Sequence, residues 1–119
     1  MILALDKNAA LFVFTSTQEA ERHLEAIDVQ QDVFEFCDIR GQRFFPIYTR
    51  PPKESRLGLF SVIDIGAFKL VAEGEIDPKI TDRFIEQAKH IEHSMIPACN
   101  SVSTLRKEIY RQVQEGLQS

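Results

Sequence analysis

Glu86, His90 and His93 carry side chains that could bind a metal ion, and they lie together in the stretch EQAKHIEH, residues 86–93. On an α-helix, positions i, i+4 and i+7 share one face. Imidazole nitrogens and carboxylate oxygens are ordinary ligands of zinc and related metals. The stretch therefore indicates either a metal site or the solvent-exposed face of a helix.

The apolar residues around this stretch favour the exposed face. Asp77 is a typical N-cap and Pro78 a typical first helical residue, and the helix is expected to end before Pro97. Its apolar face comprises Ile80, Phe84, Ala88, Ile91 and Met95. The three ligand candidates lie on the opposite face, whereas metal ligands need to be oriented by further hydrogen bonds. We therefore predict no metal and no cofactor, with Glu86, His90 and His93 as the alternative metal-binding set.

No catalytic arrangement is indicated elsewhere in the sequence. Cys37 lies in an apolar stretch and is expected to be buried, and Cys99 follows His93 without a third residue to orient the pair. His23 flanks the apolar face of another predicted helix and is interpreted as structural. The motifs of nucleotide-binding loops and of nucleophile elbows are absent from the sequence. We predict a non-enzymatic protein with no catalytic residues, and a small enzyme of unknown class is the alternative.

The composition is that of a single globular domain over residues 1–119. The chain is 44% hydrophobic and 27% charged. Its first residues, MILALDKNAALFVF, lack the basic start of a secretory signal, and no apolar run has the length of a membrane span. Two cysteines outside any zinc-binding spacing indicate free thiols in a reducing compartment. We therefore expect a cytoplasmic protein that is not bound to a membrane.

The charges are distributed unevenly along the chain. The net charge is −4, yet the residues between Asp38 and Leu57 include five basic side chains and one acidic side chain. From Glu19 to Asp38 there are seven acidic side chains and one arginine. Because phosphate contacts require clustered cations, an acidic protein is not expected to bind nucleic acid.

Two surfaces are therefore candidates for binding another protein. The preferred surface is an acidic face made of Glu21, Glu25, Asp28, Asp32 and Glu35. The second is a basic hairpin made of Arg40, Arg43, Tyr48, Arg50, Lys53 and Arg56.

The apolar and turn residues predict the elements that carry these surfaces. ALFVF (10–14) predicts a buried strand, and Ser16 with Glu19 forms a capping box before a helix over 17–27. VQQDVFEFCDI (29–39) and RFFPIYTR (43–50) predict a hairpin around RGQ, with Pro46 placing the second strand at a sheet edge or a bulge. PPKESR (51–56) is a predicted loop, and LGLFSVI (57–63) and FKLVAEG (68–74) form a second predicted hairpin.

The predicted elements define the fold class. After the helix that starts at Pro78, a last helix is predicted from Val102 to Gln114, with Gly116 marking its end. The predicted order is β-α-β-β-β-β-α-α. Because consecutive strands form hairpins, we expect an α+β fold of two layers. Its sheet is mostly antiparallel with about five strands, and the helices lie on one face.

Two segments, HLEAIDVQQDVFEFCDIRGQRF (23–44) and GAFKLVAEGEIDP (66–78), carry a resemblance to known proteins. A helix ending in L-E-A-I-D-V, a strand, a D-x-x-G turn and a hairpin into a D-P-capped helix resemble small uncharacterised bacterial proteins of the toxin-immunity type. The resemblance covers about half of the chain and identifies no specific family. Its motifs are structural, so it implies a binding function and assigns no functional residue.

We therefore predict a bacterial immunity protein that neutralises its cognate toxin by direct binding. An acidic face attracts a basic partner, such as a nuclease, through long-range electrostatics. A secretion chaperone that binds an effector segment as a homodimer is the alternative within the same class.

Overall fold

The computed structural model describes residues 1–26, 28–29, 34–50, 53–57, 60–64 and 66–118, and for 54–57, 60–64 and 117–118 the backbone alone. The strands are β1 (Ile2–Leu5), β2 (Ala10–Phe14), β3 (Glu35–Asp38), β4 (Arg43–Arg50), β5 (Lys53–Leu57), β6 (Phe60–Asp64), β7 (Ala67–Glu73) and β8 (His90–Ser94). The helices are α1 (Thr17–His23), α2 (Pro78–Gln87), a short 3₁₀ helix (Pro97–Cys99) and α3 (Val102–Gln118).

Six strands form one mixed sheet in the order β7-β4-β3-β1-β2-β8, and β5 and β6 form a separate two-stranded sheet. The pairs within the large sheet are antiparallel except for β2 with β8, which is parallel. The predicted α+β class with a mostly antiparallel sheet is confirmed. The element order differs from the predicted one, because β1, β5 and β8 were not predicted as strands.

The central strand β1 is buried on both faces. All four of its residues are buried. Ile2 and Ala4 pack in one apolar cluster with α1, and Leu3 and Leu5 pack in a second cluster with α2 and α3. The helices thus lie on both faces of the sheet, where the sequence predicted one. A strand covered on both sides is apolar throughout, and four apolar residues without alternation do not indicate a strand by periodicity.

A tight turn joins β1 to β2. The Asp6 carboxylate accepts hydrogen bonds from the backbone N–H groups of Asn8 at 2.8 Å and Ala10 at 2.9 Å. Ala9 adopts a positive φ of 63° within this turn. These local bonds bring β1 back against β2 as a hairpin.

Helix α1 starts as predicted but is shorter. The Ser16 hydroxyl accepts a hydrogen bond from Glu19 N–H at 3.2 Å, which confirms the predicted cap. The helix ends at His23, Leu24 is extended, and Val29 is buried in the α1-side cluster. Residue 27 lies outside the described residues. The predicted strand over 29–39 is confirmed at Glu35–Asp38, and residues 30–33 of it lie outside the described residues.

The predicted second hairpin was wrong in its pairing. β7 pairs with β4 along its length, and β6 pairs with β5. Residues 53–56, predicted as loop, belong to strand β5. A polar segment such as KESRL carries no apolar alternation, so only its pairing with β6 identifies it as a strand.

Pro46 lies where its missing N–H does no harm. β3 pairs with β4 only at Arg43 and Phe44, so the rest of β4 extends past β3. Leu70 lies opposite Pro46, and its N–H donates to Glu21 at 2.8 Å instead of to β4. Pro46 and Leu70 are therefore a cross-strand pair that exchanges no backbone hydrogen bonds. The proline nitrogen therefore faces the side beyond the end of β3, and a register shift follows between Tyr48 and Arg50.

Helix α2 starts as predicted and ends earlier. Asp77 caps Lys79 N–H at 3.1 Å and Pro78 is the first helical residue. The helix ends at Gln87, where Lys89 N–H donates to Ala9 O at 2.8 Å and leads the chain into β8. The predicted helix up to Pro97 was wrong, because residues 90–94 complete the free edge of β2 instead. Likewise, Gly116 lies inside α3 rather than at its end.

Candidate functional site

The predicted metal-binding set is not brought together on one element. Glu86 lies on α2, while His90 and His93 lie on β8. His90 Nε2 lies 2.8 Å from Glu92 Oε2, and the His93 ring stacks on the ring of His23. Within the part of the chain that the structure describes, no group of three or more His, Cys, Asp or Glu side chains is arranged to hold a metal ion.

The stacked histidines join the end of α1 to β8. The ring centroids of His23 and His93 are 4.2 Å apart, and both rings lie near Phe14, at 5.5 Å and 5.9 Å. Partial desolvation of the ring, and secondarily the charge of His93, lowers the pKa of His23 below its usual 6.5. This pair was missed because its two residues lie 70 positions apart and share no periodicity.

We expect the protein to lose stability as the pH falls below about 6.5, and we expect this loss to depend on His23. A histidine with a lowered folded-state pKa binds protons more readily when unfolded, so stability is complete above about 6.5 and declines below it. Urea unfolding at pH 7.5 and pH 5.5 measures the decline. H23Q is expected to reduce this decline in stability. H90Q is the control, because His90 is an exposed histidine on β8. An equal decline in wild type and H23Q contradicts the expectation.

Neither cysteine is suited to act as a nucleophile. Both thiols are free and buried. Burial, with the neighbouring Asp38 carboxylate, raises the pKa of Cys37 to about 12, and burial also raises the pKa of Cys99. Since the thiolate is the reactive form, both side chains remain unreactive thiols near neutral pH.

Asp38 is a centre of hydrogen bonding at the end of β3. Its Oδ1 accepts from the backbone N–H groups of Arg40 at 2.9 Å and Gln42 at 3.0 Å, and its Oδ2 accepts from Arg40 Nη2 at 3.2 Å and Nε at 3.4 Å. Its backbone carbonyl accepts from the buried Thr81 hydroxyl at 2.9 Å. The carboxylate therefore uses its acceptor positions within the turn and fixes the orientation of Arg40.

Gly41 attaches this turn to the start of α2. Gly41 has a positive φ of 92°, and its carbonyl accepts from Asp77 N–H at 3.2 Å. A Cβ atom at Gly41 would lie 1.9 Å from Asp77 O. Only glycine allows the two backbone segments to approach this closely.

A cavity of about 680 Å³ opens beside this turn, and we call it the Arg40 cavity. Its apolar lining comes from Met1 and Ile2 at the start of β1, Ile39 in the turn after β3, Ile76 before α2 and Val113 on α3. Ser16, Asp38, Arg40 and Gln112 supply polar groups at its wall. Two of the lining side chains, Ile76 and Val113, are 50% and 38% exposed.

The predicted acidic face is only partly a free surface. Glu25, Asp28 and Glu35 are exposed, and Asp32 lies outside the described residues. Glu21 instead ties α1 to the edge strand: its carboxylate accepts from Leu70 N–H at 2.8 Å and lies 3.5 Å from Lys69 Nζ. The Glu21 side chain is therefore engaged within the fold and blunts the edge of β7.

The residues of the predicted basic hairpin are distributed over different faces. Arg43 shares a face of the sheet with Cys37, whereas Tyr48 packs on Phe68 of the opposite face with ring centroids 6.4 Å apart. Arg40 lies in the turn, Arg50 follows the register shift, and Lys53 is exposed on β5. The side chain of Arg56 lies outside the described part of the structure. These residues do not form one continuous surface.

Strands β4 and β7 together form a different surface, which we call the outer β4–β7 face. It consists of three cross-strand pairs, Arg43 with Glu73, Phe45 with Val71, and Ile47 with Lys69. Phe45, Ile47 and Val71 are 44%, 55% and 44% exposed. Their neighbours Phe44, Pro46 and Tyr48 point to the α1 side, whereas the apolar cluster under α2 and α3 contains no described residue of β4 or β7. The outer face is therefore uncovered by the helices.

Comparison of the chain with protein-family models, with curated proteins and with solved structures gives no significant match. Among the described residues, no helix has both the length and the apolar character needed to cross a membrane.

Proposed function

We propose that the chain is a non-enzymatic protein-binding module that uses the outer β4–β7 face. The exposure of Phe45, Ile47 and Val71 on adjacent strands carries this proposal. Contiguous apolar side chains with charged neighbours are typical of protein contact surfaces, whereas scattered ones are not.

The chemistry of the face favours a particular kind of partner. Arg43 lies opposite Glu73, and Lys69 Nζ lies 3.5 Å from the Glu21 carboxylate, so the charges around the face are balanced. A partner with an apolar centre and a polar rim that carries both signs of charge therefore complements this surface.

The narrower proposal is that the partner is a secreted toxin and the chain its immunity protein. The resemblance of residues 23–44 and 66–78 to proteins of that type supports it. The exposed acids Glu25, Asp28 and Glu35 offer a second surface for a basic toxin, and they remain the alternative contact site.

Binding is expected to depend on Ile47. A partner is first captured from a lysate of the native host, identified, and then produced in pure form. Titration calorimetry with I47E is expected to give a Kd at least about 30-fold higher than wild type, because central apolar contacts contribute roughly 2 kcal/mol each. M95E is the matched control, since Met95 is 38% exposed and lies at the opposite edge of the sheet.

Two further results decide between the surfaces. Loss of binding in the double variant E25K/D28K with I47E unaffected would contradict the outer face and favour the acidic face. Sedimentation of the isolated protein tests self-association: a wild-type dimer that I47E dissociates would show that the face binds a second copy instead.

A further inference from the structure

The Arg40 cavity is separate from the outer β4–β7 face and has the size of a small-molecule site. Its volume of about 680 Å³ falls within the range of roughly 300–1,000 Å³ that such sites occupy. The mostly apolar lining with few polar groups is also characteristic of these sites. The cavity therefore raises the question of which ligand its chemistry accepts.

Among the polar groups of the cavity wall, Arg40 is the one suited to bind a charged ligand. Asp38 already accepts four hydrogen bonds within the turn, so its carboxylate has little capacity left for a ligand cation. Arg40 uses Nε and Nη2 on Asp38, which leaves the Nη1 hydrogens directed away from that carboxylate. A guanidinium held in place by one carboxylate is well suited to bind a second one along its other edge.

A second cavity adjoins the Arg40 cavity. A smaller cavity of about 210 Å³ lies between α2 and α3 and shares Ile39, Pro78 and Val113 with the first. Ile85 and Ile109 contribute to its lining. A ligand long enough to reach from the first cavity to the second has to follow the seam between the two helices, which favours an unbranched chain.

A backbone hydrogen bond joins two segments that line the cavity. The Gly41 carbonyl bonds to Asp77 N–H, so the turn that carries Arg40 is attached to the segment that carries Ile76. A site that is formed before its ligand arrives loses less conformational entropy on binding.

We propose that the Arg40 cavity binds a small amphiphilic carboxylate with an unbranched apolar chain. The carboxylate lies on the free edge of the Arg40 guanidinium, and the chain covers Ile76 and Val113 and extends along the α2–α3 seam. Covering these exposed side chains supplies the apolar part of the binding free energy. The ligand and its site are independent of the protein partner proposed above.

Substitution of Gly116 tests whether ligand binding is lost because the Arg40 cavity is filled or because the protein unfolds. It lines the cavity, yet a Cβ atom placed on it meets no atom within 4 Å. A leucine at this position is therefore expected to begin in open space and to fill part of the cavity. Because Gly116 lies inside α3, the same change removes the helix penalty of glycine and raises Tm. G116A raises Tm in the same way but leaves the cavity open.

The probes are decanoate and decanol, which share a chain and differ in the head group. Titration of ¹⁵N-labelled wild-type protein is expected to give binding of decanoate at least about tenfold tighter than of decanol, with the largest shifts at Arg40, Ile76 and Val113. R40Q is expected to abolish the difference between the probes. G116L is expected to weaken decanoate binding by at least about tenfold while its Tm stays at or above that of wild type, and G116A binds like wild type.

Each contrary result overturns a stated part of the proposal. Equal binding of decanol and decanoate rules out recognition of the carboxylate by Arg40. Unchanged binding of decanoate to G116L places the ligand outside the cavity. The absence of shifts at Arg40, Ile76 and Val113 on adding decanoate to wild-type protein rules out the ligand class.

Discussion

Replacing Gly41 with alanine is expected to lower the free energy of unfolding by about 3 kcal/mol or more. Alanine at φ 92° is strained by about 1–2 kcal/mol. The added Cβ also lies 1.9 Å from Asp77 O, so the turn and the start of α2 have to separate. This separation breaks the bond from Asp77 N–H to Gly41 O.

G74A is the control, because it measures the cost of alanine at a positive φ without a steric clash. The Gly74 φ of 87° is close to that of Gly41, yet a Cβ there meets nothing within 4 Å. G74A is therefore expected to cost only the strain of about 1–2 kcal/mol. Urea unfolding of the two variants measures the difference, and equal losses would show that the close approach of Gly41 to Asp77 does not stabilise the fold.

The sequence predicts those parts of the fold that a short stretch of residues indicates, either through a local hydrogen bond or through an apolar run. Ser16 and Asp77 each form the predicted cap with a nearby N–H, and the strand at Ala10–Phe14 follows from its apolar run. The turn around Gly41 was predicted from its glycine alone. These features are determined within a few residues, so no knowledge of the tertiary fold is needed to infer them.

The unpredicted parts depend on partners that are distant in the chain. HIEHS reads as a helix when aligned with α2, but it forms β8 because the edge of β2 is open to pairing. β1 is apolar throughout because helices cover both of its faces. The candidate sites also depend on residues that are distant in the chain. Ile76 and Val113 line one cavity although 36 residues lie between them. Glu21 was assigned to a free acidic face, but it accepts a hydrogen bond from Leu70, 49 positions away.

Removing the Asp38 carboxylate is the second substitution with a large expected effect, and D38A is expected to lose about 3 kcal/mol of stability. The side chain is nearly inaccessible to solvent, with the residue 8% exposed. D38A leaves the N–H groups of Arg40 and Gln42 without their acceptor and frees the guanidinium. Hydrogen bonds to a charged acceptor contribute roughly 1.5–3 kcal/mol each, and relaxation of the turn recovers part of that loss.

Two other variants identify which of these bonds matters. R40A removes only the ion pair, whose arginine side chain is 66% exposed, so it is expected to cost about 1 kcal/mol or less. E35A, at an exposed carboxylate on the same strand, is expected to change stability by less than about 0.5 kcal/mol. If urea unfolding shows R40A to be as destabilised as D38A, the ion pair is the dominant interaction.

If D38A alone is strongly destabilised, Asp38 acts chiefly through the two backbone N–H groups. Arg40 is then held at the cavity wall by a turn whose stability does not depend on the charge of Arg40. In that case an arginine that contributes little to folding occupies a fixed position beside an apolar cavity, which is the arrangement expected of a residue that binds a ligand.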